Sequence, residues 1–193
     1  MEITSPFSFA ATPMTMISTK RLQLRPLHEG DTDGLVRGLN NFNVSKWTAR
    51  VPFPYGMADA KSFLALCQKA EQDTLRLAIT IDGELIGVIS YERSQDGISA
   101  ELGYWLAEPH WGQGYGTEAA RAVSKHAFEA GGLDMLIAGY AKGNEGSRRI
   151  LEGLGFEPTG ELMQFSAANN ANVPVVRLAL AKGRWQAMEG RRS

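Results

Sequence analysis

Three glycines at alternate positions, Gly112, Gly114 and Gly116, mark the stretch of this chain that is best suited to chemistry. Without Cβ atoms, the backbone there can turn its N–H groups inward and let a ligand approach closely. Apolar residues follow at three- and four-residue spacing from Ala119 to Phe128, as on the buried face of a helix. A glycine loop that opens a helix offers free N–H groups and the positive end of the helix dipole. The pattern predicts a phosphate-binding loop.

The glycine spacing does not fit the two common nucleotide-binding loops. The dinucleotide fingerprint has glycines at its first, third and sixth positions, and the sixth position counted from Gly112 is Thr117. A Walker loop requires Gly-Lys followed by Ser or Thr, and no such tripeptide follows here. From the loop alone, a glycine-rich turn that merely starts a helix is an alternative.

The residues around the loop match a known family. The segments 101–106 (ELGYWL) and 111–119 (WGQGYGTEA) resemble the acetyl-CoA-binding region of the GNAT acetyltransferases, and the RimJ/RimL-like branch is the most similar. Three further motifs match in order, namely STKRLQLRPL at 18–27, NEGS at 144–147 and LGF at 154–156. The resemblance therefore covers most of the chain.

This resemblance implies a mixed α/β fold of the GNAT type. We expect a central, twisted, mostly antiparallel sheet of about seven strands, flanked by about four helices. One parallel pair of strands would splay apart and hold acetyl-CoA in the gap. The expected domain covers residues 17–182, between a flexible leader at 1–16 and a frayed, charged tail at 183–193.

The resemblance also assigns catalytic roles. Glu101 is the implied general base, acting directly or through a water molecule, whereas the residue type alone favours a solvated carboxylate on a strand. Family members often carry a bulge in this strand, which would re-aim the side chains beyond it. Ser147 is implied as the group that protonates, or hydrogen-bonds, the departing thiolate, and an ordered water molecule is the alternative. Many members use a tyrosine four positions later, where this chain has Leu151.

The implied acetyl-CoA site combines backbone and side-chain contacts. Backbone groups of Leu106 and its neighbours would contact the pantetheine arm, and N–H groups from Gln113 to Thr117 would bind the pyrophosphate. Thr117 is either a hydroxyl donor or a helix cap. Asn144 fits a helix N-cap, and the matching family residue also contacts pantetheine. The predicted cofactor-binding residues are Trp105, Leu106, Gly112, Gln113, Gly114, Tyr115, Gly116, Thr117, Asn144 and Ser147.

Local patterns predict the elements that would position these residues. Asp82-Gly83 between two apolar runs indicates a two-residue hairpin, because that turn requires positive φ. The next strand, 98–106, leads into the glycine loop, and 135–140 is a buried strand that a helical crossover makes parallel to it. Asp31 is placed to cap a helix. Two last strands pair across an Asn-rich loop, at 161–165 and 173–180.

Composition limits the remaining classes of protein. The chain has 193 residues, of which 44% are hydrophobic, and a formal charge of −1. This fits one domain with an ordinary core, and no block of like charges indicates a nucleic-acid or membrane surface. Cys67 is the only cysteine, so neither an intramolecular disulfide nor a zinc site is expected. The three histidines form no metal-binding constellation, so no metal is expected. Residues 1–16 show no signal-peptide pattern, from which we expect a cytoplasmic protein.

The expected activity is transfer of an acetyl group from acetyl-CoA to a primary amine, by direct attack in a ternary complex. The acceptor would be a small-molecule amine, an amino acid or a protein N-terminus, and Trp47 or Phe53 would touch it. A non-catalytic acyl-CoA sensor is the alternative, since it needs the loop but neither Glu101 nor Ser147. A third hypothesis, nucleotide binding, predicts affinity for NAD or ATP above CoA. The sequence is compatible with both a monomer and a homodimer.

Overall fold

The computed structural model describes residues 15–69 and 73–191. Its strands are β1 (Ile17–Ser18), β2 (Gln23–Pro26), β3 (Thr74–Ile81), β4 (Glu84–Arg93), β5 (Ser99–Leu106), β6 (Met135–Ala141), β7 (Glu157–Ser166) and β8 (Ala171–Ala181). Its α-helices are α1 (Thr32–Leu39), α2 (Phe42–Ser45), α3 (Met57–Gln68), α4 (Tyr115–Glu129), α5 (Glu145–Leu154) and α6 (Lys182–Gly190). The strands form one sheet in the order β1-β2-β3-β4-β5-β6-β8-β7, with helices on both faces.

The predicted mixed α/β class is confirmed, with more elements than expected among the described residues. The additional strand, β1, is only two residues long and pairs with β2 at one edge of the sheet. The additional helices are the short α2 and the C-terminal α6. The predicted hairpin is confirmed as well, because Asp82 and Gly83 join β3 to β4 with φ values of 50° and 86°.

Helix α4 follows the predicted apolar spacing. Its buried face carries Ala119, Ala120, Val123, Ala127 and Phe128, each at most 1% exposed, and these side chains belong to the larger of the two core clusters. Four of the five are small residues, so the helix axis lies close to the sheet. This packing places the start of α4 beside the C-terminal end of β5.

The sheet is incomplete between β5 and β6. These strands run parallel and pair at only three positions, from Ser99 opposite Met135 to Glu101 opposite Ile137. The β4–β5 register continues without a shift from Ala100 to Leu106, so the bulge expected in β5 is not present. The alternation of side chains is therefore regular, and the two strands diverge into the splayed pair that the resemblance implied.

Two local predictions were wrong. Residues 182–190 form helix α6 instead of a frayed tail, because Trp185 is 3% exposed and packs against Phe128, with ring centroids 6.0 Å apart. Asp31 occupies the N-cap position of α1, but its side chain makes no hydrogen bond to that helix; its carboxylate instead accepts two hydrogen bonds from Arg25, at 2.7 and 2.8 Å. Burial alone would raise the pKa of Asp31, but the bonds from Arg25 and from the His28 backbone N–H outweigh it and lower the pKa.

The predicted leader, 1–16, lies almost entirely outside the described residues. Within the described ranges, no helix has both the length and the apolar character needed to cross a bilayer.

Candidate active site

A cavity of about 600 Å³ opens where β5 and β6 diverge. Its volume lies within the range typical of small-molecule sites. Leu102 and Ala138 belong to the core on the α4 side of the sheet, whereas Val44 belongs to the core on the α1 side. The cavity is therefore reached from both faces of the sheet through the gap.

The glycine loop forms one wall of this cavity. Gly112 and Gly114 have φ values of 73° and 81°, a left-handed conformation that glycine adopts without strain. Gly114 is the N-cap of α4, with no side-chain cap, and the first helical bond runs from the Glu118 N–H to its carbonyl at 3.0 Å. The N–H groups of the first turn have no partner in the helix, and their residues line the cavity. Thr117 lies inside this turn and is not the cap.

Thr19, Arg21 and Glu118 anchor the glycine loop, a role that the sequence analysis did not identify. Glu118 Oε1 accepts hydrogen bonds from Thr19 Oγ1 at 2.7 Å and from the Arg21 backbone N–H at 2.8 Å. Arg21 Nε donates to Glu118 Oε2 at 2.7 Å, and Arg21 Nη1 donates to the Gln113 carbonyl at 2.9 Å. The Arg21 guanidinium also lies 4.4 Å from the centre of the Tyr115 ring. Both halves of this network lie in the matched motifs, but nothing in the sequence links positions so far apart.

The network changes the titration of Glu118. Burial would raise its pKa, but the hydrogen bonds from Thr19 and Arg21 outweigh burial, so the pKa lies below the ordinary value for glutamate. An ionised Glu118 is thus part of the folded loop.

Two tryptophans fix the approach to the loop. Trp111 Nε1 donates to the Leu106 carbonyl at 2.8 Å and so joins the glycine loop to the end of β5. The Trp105 side chain packs against Gly38 of α1, where even a Cβ atom would lie 2.6 Å from its ring.

Gln113 does not line the cavity, and its amide donates to the Pro109 carbonyl at 2.9 Å. All the other predicted cofactor-binding residues do line it.

The N-terminus of α5 forms the opposite wall. Asn144 Oδ1 accepts the Ser147 N–H at 3.1 Å, which confirms the N-cap alternative for this residue. Ser147 Oγ lies 3.0 Å from the Tyr104 hydroxyl, and both residues line the cavity. Burial raises the pKa of Tyr104 to about 12, although the hydrogen bond with Ser147 opposes this. Leu151, where family members often have tyrosine, is buried.

Glu101 lies beside the cavity and does not line it. It is the last residue of β5 that pairs with β6, and its neighbours Leu102 and Gly103 are cavity residues. Its side chain is 55% exposed, and Arg177 Nη1 donates to Glu101 Oε1 at 2.6 Å. The predicted base is therefore close to the gap and already bound to a cation.

Further lining residues could not be assigned from the sequence. Trp47 lines the cavity, whereas Phe53, the other suggested acceptor contact, packs against Phe42 with ring centroids 5.3 Å apart. Arg149 lines the cavity, while its neighbour Arg148 forms ion pairs with two glutamates of α5. In the part of the chain that the structure describes, no group of three or more His, Cys, Asp or Glu could hold a metal ion.

Comparison with known proteins decides the family. The family model described as the acetyltransferase (GNAT) domain matches residues 21–157, most of the chain. The chain belongs to the GNAT acetyltransferase family. This acetyltransferase is 25% identical over 174 residues to N-acetyltransferase p20 of Bacillus licheniformis, itself uncharacterized, covering 88% of this chain and 97% of that protein.

Two further relatives confirm the predicted RimJ/RimL-like character of the acetyltransferase. It is 36% identical over 91 residues to the ribosomal-protein-serine acetyltransferase of Escherichia coli, a match that covers 47% of this chain and 51% of that protein. The structure of RimL, a ribosomal α-N-protein acetyltransferase in complex with coenzyme A, matches with a TM-score of 0.76 at 18% identity, covering 86% of this chain and 98% of that one. The predicted enzyme class, an N-acetyltransferase, is confirmed by these relatives.

Proposed function

We propose that this acetyltransferase transfers the acetyl group of acetyl-CoA directly to a primary amine, with both substrates bound together. The observation that carries this proposal is the single cavity that joins the glycine loop to the other face of the sheet through the β5–β6 gap. Acetyl-CoA would enter from the α4 side and the amine from the α1 side. Holding two reactants in register supplies about 7–11 kcal/mol of the barrier reduction.

The chemistry of the cavity wall fits acetyl-CoA. The uncapped first turn of α4 offers N–H groups and a positive dipole end to the pyrophosphate. A Cβ at Gly116 would lie 2.8 Å from Ile150 Cδ1, so a larger residue here would require the Ile150 side chain to move. Beyond Glu101, the facing edges of β5 and β6 do not pair, and backbone groups there are available to the amides of the pantetheine arm.

Proton transfer from the amine is the role proposed for Glu101. An α-amine has a pKa of about 7.7–8.0, so a carboxylate acting through water suffices at neutral pH. The position of Glu101 at the last β5–β6 pair places it next to the gap, and the bond from Arg177 holds its carboxylate in place. The amine nitrogen then forms the bond to the acetyl carbon, and the sulfur leaves with the electron pair of the broken C–S bond.

The acceptor side of the cavity has a fixed wall. The segment 46–49, which contains the cavity residues Trp47 and Thr48, is bound to the turn between β7 and β8. Asn169 Nδ2 donates to the Lys46 carbonyl at 2.7 Å, and Ser166 Oγ donates to the Thr48 carbonyl at 3.0 Å. This wall bounds the space proposed for the acceptor, which would be a small amine, an amino acid or a protein N-terminus.

One observation favours a second candidate function. Because Glu101 is paired with Arg177 and does not line the cavity, the chain also fits a sensor that binds acyl-CoA without turnover. Both functions require the glycine loop, but only the enzyme requires Glu101.

The first experiment is thermal unfolding with acetyl-CoA, CoA, NAD and ATP in parallel. A ligand at 100 times its Kd stabilises by about 2.7 kcal/mol, and each kcal/mol raises the Tm by roughly 2–4 °C for a chain of this size. We expect a shift of several degrees with the two CoA compounds alone. A shift with only NAD or ATP would contradict the assignment of the cavity.

The second experiment measures CoA thiol release with small amines, amino acids, peptides with a free N-terminus and N-acetylated peptides that contain lysine. Glu101→Gln should lower kcat for an accepted amine about 100-fold, within the range for general base catalysis. Glu92→Gln is the matched control, because Glu92 lies opposite Glu101 on β4, is also exposed, and also pairs with an arginine, Arg50. CoA binding without release from any amine would support the sensor.

A further inference from the structure

Two hydroxyl groups meet across the cavity, one from the sheet and one from α5. The Tyr104 side chain extends from β5 to the same side as Leu102 and Leu106, towards the core under α4 and α5. Its oxygen lies 3.0 Å from Ser147 Oγ, and Ser147 is the one hydrogen-bond partner found for Tyr104 among the described residues. This contact lies between the loop that would bind pyrophosphate and the end of the β5–β6 pairing.

Either hydroxyl of this pair can donate to the other. The Tyr104 hydroxyl has a single hydrogen, and with its pKa raised to about 12 it is protonated at neutral pH. A buried donor without a partner costs free energy, and Ser147 Oγ is the acceptor in reach. Donation from Tyr104 to Ser147 is therefore the arrangement that gives the Tyr104 hydrogen a partner.

The direction of the Tyr104–Ser147 hydrogen bond determines where the Ser147 hydroxyl hydrogen can point. A serine in the first turn of a helix can turn its hydroxyl back to a carbonyl of the preceding turn. Once Ser147 Oγ accepts from Tyr104, while its backbone N–H is bound to Asn144, its own hydrogen is left to point into the cavity. Two fixed contacts thus orient one small donor.

We propose that Tyr104 is a positioning residue that aims the Ser147 hydroxyl at the sulfur of the departing CoA. This inference rests on the proposed function and adds a role that acts through Ser147. When the amine nitrogen bonds to the acetyl carbon, the C–S bond breaks and its electron pair stays on the sulfur. The amine proton passes to Glu101 or water, Ser147 donates a hydrogen bond to the thiolate, and the thiolate takes a proton from water after leaving. Tyr104 and Ser147 end the cycle unchanged.

The first test does not require an acceptor amine. CoA is bound to the protein and its thiol is titrated by the ultraviolet absorbance of the thiolate. A hydrogen bond from Ser147 lowers the pKa of the bound thiol, so Tyr104→Phe and Ser147→Ala should each raise that pKa by about one, equivalent to about 1.4 kcal/mol. Tyr91→Phe is the matched control, because Tyr91 is a buried tyrosine of the neighbouring strand whose hydroxyl faces His126, outside the cavity. It should leave the thiol pKa unchanged.

The second test uses turnover of an accepted amine. Tyr104→Phe should lower kcat about tenfold, which corresponds to about 1.4 kcal/mol, while KM for acetyl-CoA stays within about twofold. Ser147→Ala should lower kcat to a similar extent, and the double variant should be no worse than Ser147→Ala, because Tyr104 acts only through Ser147.

The outcomes separate this inference from the proposed function. An active wild type with wild-type kcat and thiol pKa in Tyr104→Phe would overturn the role of Tyr104 and leave the acetyltransferase activity intact. A wild type that binds CoA but acetylates no amine would overturn the proposed function, while the thiol titration would still test the Tyr104–Ser147 contact. If Tyr104→Phe fails to fold, Ser147→Ala decides, and an unchanged thiol pKa in that variant would overturn the inference.

Discussion

Two helices begin at the same cavity, and their N-termini are built in opposite ways. Helix α4 starts after a left-handed glycine, Gly114, and no side chain caps its first turn. Helix α5 starts at Asn144, whose side chain binds the Ser147 N–H. Helix α4 leaves the N–H groups of its first turn open to the cavity. Helix α5 satisfies one of its own first-turn N–H groups with the Asn144 side chain.

The difference follows from what each helix is expected to bind. A pyrophosphate has many charged oxygens and is bound best by several backbone N–H groups that have no other partner. A sulfur atom that gains charge for a short time needs one oriented donor. The cap of α5 holds the first turn rigid and leaves the Ser147 side chain to act. The four variants below test this contrast, from the largest expected effect to the smallest.

The largest effect is expected at the uncapped helix. Gly114→Val forces a β-branched residue into φ 81° and brings its Cβ within 3.3 Å of Arg21 Nη2. Losing two charge-assisted bonds of about 1.5–3 kcal/mol each should lower CoA affinity at least about 100-fold. Isothermal titration measures this. Gly153→Ala in α5, where a Cβ meets nothing within 4 Å, should bind CoA normally. Equal losses in both variants would show a general folding defect.

The hydrogen bonds that Glu118 of α4 accepts from Thr19 and Arg21 should weaken at low pH. Glu118→Gln weakens the bonds from Thr19 and Arg21 and should lower the free energy of unfolding by about 1–3 kcal/mol at pH 7. Because the pKa of Glu118 is lowered by folding, this stability is present above the ordinary glutamate pKa of about 4.3 and is lost as the pH falls through the lower folded value. Urea unfolding from pH 7 to 3 should show the two proteins converging.

The control for this acid response is Glu145→Gln. Glu145 lies in the first turn of α5 as Glu118 does in α4, but its side chain is exposed and bound only to Arg148. It should leave stability nearly unchanged, because an exposed ion pair contributes little to it. A constant difference between wild type and Glu118→Gln at every pH would refute an ionic role for Glu118.

The cap of α5 is tested by Asn144→Ala. Loss of an N-cap costs about 1 kcal/mol of stability, and the looser first turn should lower kcat through Ser147. In the proposed binding mode CoA affinity depends mainly on α4, so it should fall no more than about threefold, equivalent to one neutral hydrogen bond. Asn144→Ser restores a favoured cap and should recover most of the stability. A larger loss of affinity than of kcat would mean that Asn144 binds CoA directly.

The smallest effect is expected from a pair of neighbouring arginines. Arg149 lines the cavity and is exposed, so Arg149→Ala should weaken CoA binding about two- to fivefold, as for an exposed ionic contact of about 0.2–1 kcal/mol. The loss should shrink at high salt. Arg148→Ala removes the same charge but breaks only pairs with Glu145 and Glu152, and should not change CoA affinity. An equal loss of CoA affinity in the two variants would mean that each arginine acts only through its positive charge at long range.

The sequence predicts features of this molecule that depend on short segments. The Asp82-Gly83 hairpin follows from turn chemistry, and the start of α4 follows from glycines next to a helical apolar pattern. The α6 helix could not be predicted, because the burial of Trp185 involves a residue of a distant helix, Phe128. Likewise, Asp31 looks like a cap until Arg25 is seen beside it.

The same distinction between local patterns and long-range contacts applies to the candidate site. The loop glycines and Asn144 were recognisable because their positions follow from local backbone requirements. The Tyr104–Ser147 and Arg21–Glu118 contacts join residues that are 43 and 97 positions apart, and a single sequence does not reveal such pairs.

The short β5–β6 pairing has a consequence for the mechanics of the molecule. Three residue pairs join these strands, against seven between β4 and β5 and seven between β6 and β8. The sheet is therefore two stiff halves connected by a narrow seam, and a substrate bound along the gap would take the place of the missing ladder rungs. Hydrogen exchange at 103–106 and 138–141 should slow when CoA binds, and the two halves should then unfold more nearly as one unit. In this protein the substrate would also serve as a structural joint.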